Sequence, residues 1–347
     1  MNLRILPKTE VPHLVQALMG DYQVVGPQAK GTQFGFEPLA DPADLRLDYN
    51  ISILSPKAAL QPPQERLARI RLDGAPVAES LVAAEPTVLL GVHTCDLHAI
   101  QLLDRAFSAD YPDAHYQERR KQMVIVSLEC LQPCDEHSFC KSMNTWSVDG
   151  GGYDLHLTDV GTAYAVQVGT ETGERLLSKY AQAAVAGPAD VKRRDEAVGA
   201  KWPRFAQRLA FEASELPALL ATAYQHPIWA ELGNRCLSCG SCTNVCPTCY
   251  CFNVLDSIEL DQSAANRTRR WDSCQLDEFA RVASGENFRE ARANRQRHRM
   301  LRKGKYLIER FDAPGCVGCG RCIRACLVHI NIVDTFNAIH QSPCAPA

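Results

Sequence analysis

The chain has 347 residues, of which 46% are hydrophobic and 22% charged, and its formal net charge at pH 7 is -3. This length suits two or three globular domains, and the charge argues against a general nucleic-acid or membrane-surface role. Sixteen cysteines are a heavy load, for which metal ligation in a reducing cytosol is the expected use. The sequence shows neither a secretory signal, a twin-arginine pair nor a long apolar run, so we expect a cytoplasmic protein without a membrane span.

Helices and strands are predicted to alternate in the first half of the chain. We expect a short helix around residues 10–19, a strand over residues 22–25 and a helix near residues 64–70. Residues 153–160 and 163–168 are predicted as two paired strands joined by a turn.

Two strongly apolar segments each lead into cysteines. Residues 87–92 and 123–128 have the composition of strands that are buried on both faces. The cysteines that follow these strands are Cys95, Cys130, Cys134 and Cys140. Because α/β sheets gather ligands at the carboxyl ends of their strands, we expect these cysteines to bind a third redox centre there, a third [4Fe–4S] cluster or a flavin. The alternative is that they are small buried hydrophobic residues.

Cys95 lies at the start of a predicted helix that follows the first of these strands. The positive end of a helix dipole lowers the pKa of a nearby thiol. We therefore expect the pKa of the Cys95 thiol to be lowered.

Two copies of a ferredoxin-type motif, C-x2-C-x2-C-x3-C, occur in the last third of the chain. In this motif three thiolates bind one [4Fe–4S] cluster, and in two-cluster ferredoxins the fourth binds the neighbouring cluster. The predicted ligands of the first cluster are Cys236, Cys239, Cys242 and Cys326. The predicted ligands of the second cluster are Cys316, Cys319, Cys322 and Cys246. Zinc sites need only four ligands in two pairs, and disulfides need an oxidising compartment, so two iron–sulfur clusters fit this spacing better.

The composition divides the chain into an α/β domain over residues 1–184, a helical linker over residues 185–230 and a ferredoxin-like domain over residues 231–347. The predicted fold class is therefore α+β. The last domain contains a long basic insertion, residues 247–315, with an arginine-rich helix predicted near residues 289–302. A solvated face is the simplest interpretation of this charge, and a docking surface for an acidic partner subunit is the alternative. Nucleic-acid binding is disfavoured because no base-reading motif accompanies the charge.

Three cysteines near the ferredoxin motifs have no predicted role. They are Cys249, Cys251 and Cys274. Inert packing, the lining of a cluster and ligation across the domain boundary stay open for them.

With these motifs in place, the chain resembles the beta subunits of soluble sulfhydrogenase-type [NiFe]-hydrogenases and the A subunit of anaerobic sulfite reductase. The segments that carry the resemblance are residues 91–97, 129–143, 246–252 and 271–274. Ser138 stands where this family often has a cysteine, so Cys134 is the expected substitute. Leu327 replaces the proline expected after the second motif, which affects the exit of the chain and no ligand.

The resemblance implies an electron-transfer subunit of a cytoplasmic heteromeric complex. Its partners would be a flavin- and NAD(P)-binding subunit and a catalytic subunit, either a [NiFe]-hydrogenase or a sirohaem sulfite reductase, with hydrogenase favoured. The chain shows no nucleotide-binding glycine motif and no triad that we recognise, so we predict no catalytic residues and no activity of the chain alone. The alternative from another class is a self-contained oxidoreductase with a flavin or a third cluster at the sheet edge.

Overall fold

The computed structural model describes residues 3–148 and 150–342. Its strands, in chain order, are β1 (Leu3–Pro7), β2 (Gln23–Lys30), β3 (Gln33–Pro38), β4 (Gln64–Arg71), β5 (Val77–Ser80), β6 (Thr87–His93), β7 (Met123–Leu128), β8 (Leu155–Asp159), β9 (Ala163–Val168), β10 (Ala184–Val185), β11 (Phe252–Ile258) and β12 (Ala264–Trp271). They form an eight-stranded sheet in the order β10-β1-β9-β8-β7-β6-β2-β3 and a four-stranded sheet in the order β11-β12-β4-β5.

Short and medium-length helices cover the large sheet and form most of the C-terminal part. They are α1 (Val11–Leu18), α2 (Thr94–Ser108), α3 (Ala114–Lys121), α4 (Glu171–Tyr180), α5 (Pro188–Gly199), α6 (Leu216–Thr222), α7 (Ile228–Arg235), α8 (Ser241–Asn244), α9 (Arg292–Leu301), α10 (Leu307–Phe311), α11 (Arg321–Arg324) and α12 (Ile332–Gln341). Among the described residues, no helix combines the length and apolar character that crossing a bilayer requires.

The centre of the large sheet is parallel and completely buried. Every residue of β6 and β7 is buried, and β6 pairs in parallel with β2 on one side and with β7 on the other. Continuous apolar strands are expected where helices cover both faces of a sheet. Since β6 and β7 run in the same direction, their carboxyl ends meet at one edge, and the predicted strands over residues 87–92 and 123–128 are confirmed.

Most of the other predicted elements are present with small shifts at their ends. The helix predicted around residues 10–19 is α1, and the strand predicted over residues 22–25 is the beginning of the longer β2. The two paired strands are β8 and β9, which are antiparallel. The segment predicted as a helical linker contains α5, α6 and the beginning of α7.

The helix predicted near residues 64–70 is wrong, because this segment forms strand β4. Its residues Gln-Glu-Arg-Leu-Ala-Arg-Ile-Arg are mostly good helix formers. Their pairing with β12, a strand of the basic insertion, overrides that local preference. Residues distant in the sequence therefore decide the structure of this segment.

A buried arginine fixes the contact between these two distant strands. Arg269 in β12 is only 3% exposed, and its Nε donates a hydrogen bond to Glu65 of β4 over 2.8 Å. Arg269 also pairs with Asp113 at the start of α3. The basic insertion is thus bound to the N-terminal part by paired charges, while the predicted domain boundaries stay a prediction.

A second buried ion pair joins the large sheet to the ferredoxin-type motifs. Asp96 lies in the first turn of α2, and its two carboxylate oxygens accept hydrogen bonds from Arg321 of α11 at 2.6 and 2.7 Å. Both side chains are 1% exposed. Arg321 also donates to the Ser52 carbonyl oxygen and hydroxyl. This bidentate geometry satisfies most of the buried guanidinium.

We predict that Asp96→Ala lowers the free energy of unfolding by about 3–5 kcal/mol, because it leaves Arg321 buried without its anion. The matched control is Asp48→Ala, since Asp48 pairs with Arg46 on the surface and its loss should change stability little. Urea unfolding of the anaerobically purified full chain measures both. Equal effects of the two substitutions would contradict the role assigned to the buried pair.

Candidate metal centres

Four cysteines from the two ferredoxin-type motifs line one cavity. This first thiol group consists of Cys236, Cys239, Cys242 and Cys326. Cys236 follows α7, and Gly240, whose φ is +77°, turns the chain into the one-turn helix α8 that carries Cys242. The fourth thiol, Cys326, comes from the second motif. This is the arrangement expected if each motif supplies the fourth ligand of the other motif's cluster.

Hydrogen-bond donors point at the sulfur atoms of this group. Gln296 Nε2 donates to Cys236 Sγ over 2.9 Å, and the backbone N–H of Ser238 donates to the same atom over 3.3 Å. The backbone N–H of Ile330 donates to Cys326 Sγ over 3.2 Å. Such bonds stabilise negative charge on sulfur and help to set cluster potentials. Gln296 was missed in the sequence, where a glutamine within an arginine-rich helix gives no signal.

The second thiol group consists of Cys316, Cys319, Cys322 and Cys246, of which Cys319 is buried and the other three are partly buried. Burial raises the pKa of Cys319 to about 12, with further increases from Asp96, Cys246 and Cys322 that Arg321 opposes. Burial likewise raises the pKa of Cys322, although Arg299 beside it acts in the opposite direction. These four sulfur atoms therefore lie close enough to repel one another as thiolates, and they need a bound cation or metal centre to be ionised together.

The third thiol group lies at the carboxyl edge of the large sheet and consists of Cys95, Cys130, Cys134 and Cys140. Cys95 is in the first turn of α2 after β6, and Cys130 follows β7 by two residues. The Cys134 thiol donates a hydrogen bond to Cys130, which lowers the pKa of Cys130. The same hydrogen bond and burial raise the pKa of Cys134. The nearby Cys95 and Cys140 raise it further. The structure thus brings together the four cysteines that were predicted to meet.

One property of the third group, the pKa of Cys95, differs from the expectation. Burial and the neighbouring Asp96 raise the pKa of Cys95, so they outweigh the lowering expected from the helix N-terminus. Ser138, at the family's cysteine position, is buried and donates its hydroxyl to Asp135 over 3.0 Å. Cys134 lies 3.8 Å from the ring of His93, measured from Sγ to Nδ1.

Within the described ranges, no three His, Cys, Asp or Glu side chains converge as the ligands of one metal ion do. The ligands of a four-iron cluster bind separate iron atoms, so they do not need to converge in that way. The residues in each thiol group match the thiolate donors that such clusters use.

Comparison with known proteins agrees with this chemistry. A family model described as a 4Fe-4S dicluster domain matches residues 235–330. Over 324 residues the chain is 32% identical to sulfhydrogenase 2 subunit beta of Pyrococcus furiosus, and the alignment covers 92% of each protein. The chain belongs to the sulfhydrogenase beta-subunit family. No solved structure matches it.

Membership in this family confirms the resemblance seen in the sequence. Together with the dicluster domain, it makes the chain an iron–sulfur electron-transfer subunit of a hydrogenase-type complex. Clusters of the 4Fe-4S type fit the thiol groups described above, since each group offers four sulfur ligands.

Three buried cations surround the thiol groups of this beta subunit. Arg299 and Lys303 are each 4% exposed and Lys57 is 3% exposed, and within the described ranges none of them pairs with a carboxylate. Burial alone would lower the pKa of Arg299, but Cys242 and Cys322 raise it above its ordinary value. For Lys303, Cys246 and Cys249 likewise outweigh burial and raise the pKa. For Lys57, burial outweighs the nearby cysteines and lowers the pKa. The thiolates are therefore the anions that balance the charges of Arg299 and Lys303.

These cations correct the simplest interpretation of the basic insertion. Arg295, Arg299 and Lys303 all belong to it, and all three are buried. A solvated face is therefore wrong for this part of the insertion. These charged side chains are shielded from solvent because α9 is packed inside the structure. A pattern of arginines in the sequence does not reveal that burial.

The second and third thiol groups are in direct contact through glycine backbone. Gly318, with φ of +65°, lies so close to the third group that an added Cβ would be 2.6 Å from the Cys140 backbone. The Phe139 N–H donates to the Gly318 carbonyl oxygen over 2.8 Å. Cys95, Cys140 and Cys319 share one buried cluster. The loop that carries Cys140 is therefore held against the second motif.

We predict that Gly318→Ala is more destabilising than Gly31→Ala by about 1–3 kcal/mol. Both glycines have similar positive φ values, +65° and +62°, but a Cβ at Gly31 meets no atom within 4 Å. The cost of the left-handed conformation, about 1–2 kcal/mol, is therefore common to both variants. The difference between their urea unfolding free energies isolates the contact with Cys140. No difference would show that the loop and the motif are not tightly packed.

Proposed function

We propose that this beta subunit relays single electrons between a flavin- and NAD(P)-binding subunit and a [NiFe]-hydrogenase catalytic subunit. The observation that carries the proposal is the succession of three thiol groups in contact, from the sheet edge to the surface. The third group adjoins the second through Cys95 and Cys319, and the second adjoins the first through Cys322 and Cys242. The similar protein from Pyrococcus furiosus is named as a subunit of a sulfhydrogenase, which supports a hydrogenase complex.

We assign one [4Fe–4S] cluster to each of the three thiol groups, with the four cysteines of each group as its ligands. When bound, these clusters would supply reversible one-electron transfer. The protein contributes buried surroundings, hydrogen bonds from Gln296 and backbone N–H groups, and the nearby charges of Arg299 and Lys303. These features favour extra negative charge at the first and second groups.

The first thiol group is the end of the succession that reaches the surface. Cys239 is exposed, and Leu237 and Leu327 at the rim of its cavity are 54% and 74% exposed. Exposed apolar side chains around a functional cavity are typical of a protein contact site. We assign the contact with one partner subunit to this rim. Leu327, which departs from the family pattern, contributes apolar surface to it.

Two other functions make different predictions. An anaerobic sulfite reductase would have the same relay with a sirohaem catalytic subunit, and the identity to a sulfhydrogenase subunit favours the hydrogenase. A self-contained oxidoreductase would bind flavin at the third group. The contact of Cys95 and Cys140 with Cys319 favours a relay instead, because it places the third group beside another thiol group.

We predict that the tagged chain co-purifies with a flavin subunit and a nickel-containing subunit, and that this complex reduces NAD(P) with hydrogen. The isolated chain should contain iron and acid-labile sulfide, show no flavin absorbance and have no hydrogenase turnover. A sirohaem subunit among the partners would overturn the hydrogenase assignment. Flavin and turnover in the isolated chain would overturn the relay and favour the self-contained enzyme.

We predict that Cys95→Ser and Cys130→Ala each remove about four iron atoms per chain, because each removes a ligand of the third group. Ser138→Ala in the same loop is the matched control and should leave the iron content unchanged. Iron and sulfide analysis of anaerobically purified protein measures all three. Full iron content in both cysteine variants would rule out a cluster at the sheet edge, and the two ferredoxin-type groups would then form the whole relay.

A further inference from the structure

Three cysteines outside the thiol groups described above also lie together. Cys249 and Cys251 follow the first ferredoxin-type motif, and Cys274 follows β12. The Cys274 thiol donates a hydrogen bond to the sulfur of Cys251, and Cys249 lies near both. The backbone N–H of Asp272 donates to the Cys251 carbonyl oxygen over 3.0 Å. The β11–β12 hairpin thus brings its two ends, and the cysteines on them, to one place.

Positive charge is buried against these three cysteines. Lys57 donates a hydrogen bond to the Cys249 carbonyl oxygen over 2.7 Å, and its Nζ lies 4.2 Å from the centre of the Trp271 ring. Neither partner carries a full negative charge. Lys303, on the side toward Cys246, donates to the hydroxyl of Thr248. Burial lowers the pKa of Lys57, while Cys249, Cys246 and Cys251 act in the opposite direction, so these cysteines lie close to its amino group.

Two of these cysteines are buried, and an amide donor points at one of their sulfur atoms. Cys249 and Cys274 are 6% and 3% exposed. Gln275, which is also buried, points its Nε2 at Cys274 Sγ over 3.4 Å, as Gln296 does at Cys236 in the first thiol group. Hydrogen bonds to sulfur are typical of cysteines that bind iron–sulfur clusters. The same arrangement in both places therefore indicates the same use of the cysteines.

We propose that Cys249, Cys251 and Cys274 are the ligands of a further iron–sulfur cluster. Thiolate ligands are the ones that such clusters use, and they bind separate iron atoms. The site adjoins the second thiol group, because the Cys249 thiol donates a hydrogen bond to Cys246. It goes beyond the three-cluster relay proposed above and does not depend on the identity of the partner subunits.

The test compares Cys249→Ala and Cys274→Ala in the full chain, produced with ample iron and purified anaerobically. Each variant should lose about three or four iron atoms with their sulfide. Cys344→Ala is the control, since this cysteine stands in none of the cysteine motifs of the sequence and lies outside the described residues. The electron paramagnetic resonance signals of the two ferredoxin-type clusters should persist in both variants. If the wild-type chain itself lacked the signals of the two ferredoxin-type clusters, the proposed function would be wrong, and the site of Cys249, Cys251 and Cys274 would not be affected.

Crystals of the wild-type chain give a test that does not depend on folding of the variants. Anomalous diffraction measured at the iron absorption edge should show a peak bounded by the three sulfur atoms. A disulfide between Cys251 and Cys274 with no peak at this edge would overturn the proposal. Unchanged iron content in folded Cys249→Ala and Cys274→Ala would overturn it as well.

Discussion

The compensation of buried positive charge is the constraint on which this structure depends. Four buried cations of the described residues have carboxylate partners: Arg321 pairs with Asp96, Lys201 with Glu129, Arg269 with Glu65 and Asp113, and Arg295 with Asp277. Lys57, Arg299 and Lys303 have none within the described ranges and lie beside cysteines. Burial lowers the pKa of Lys57, whereas the cysteines keep Arg299 and Lys303 charged. Since removing the partner of a buried charge costs about 3–5 kcal/mol, thiolates bound to metal are needed to stabilise Arg299 and Lys303. Folding of the ferredoxin-type part and binding of its metal centres are therefore linked.

One of these ion pairs, Asp96 with Arg321, holds the second and third thiol groups together. Asp96 is the residue after Cys95, and Arg321 is the residue before Cys322. The ion pair therefore fixes the positions of Cys95 and Cys322 relative to each other through their sequence neighbours. The contact of Gly318 with Cys140 adds a steric limit. A relay requires short and constant separations between its centres. The buried bidentate ion pair and the close backbone packing supply both. A shift of the ion pair would expose or separate its buried charges, and a shift of the backbone would make atoms overlap.

The sequence predicted the parts of this arrangement that local pattern determines. The continuous apolar runs identified β6 and β7, and the cysteine spacing identified both ferredoxin-type motifs. The meeting of Cys95 with Cys130, Cys134 and Cys140 followed from the parallel direction of the two strands. Strand β4 was missed because its helix-forming residues are paired by a strand nearly 200 residues away. The burial of Arg299 and Lys303, and the hydrogen bond from Gln296 to Cys236, depend on the same kind of distant contact and leave no local signal.

The basic insertion connects these observations. Its β11–β12 hairpin pairs with β4 of the N-terminal part, and its helix α9 places Arg299 against Cys242 and Cys322. The pair of Asp96 with Arg321 already attaches the second ferredoxin-type motif to the large sheet, and the pairing of β12 with β4 adds a second attachment to the N-terminal part. The insertion also supplies Arg299 and Lys303, which lie beside the thiols of the ferredoxin-type motifs. Because it contains the cysteines at the base of the hairpin as well, one segment of the chain contributes to attachment, to charge compensation and to the additional thiol site.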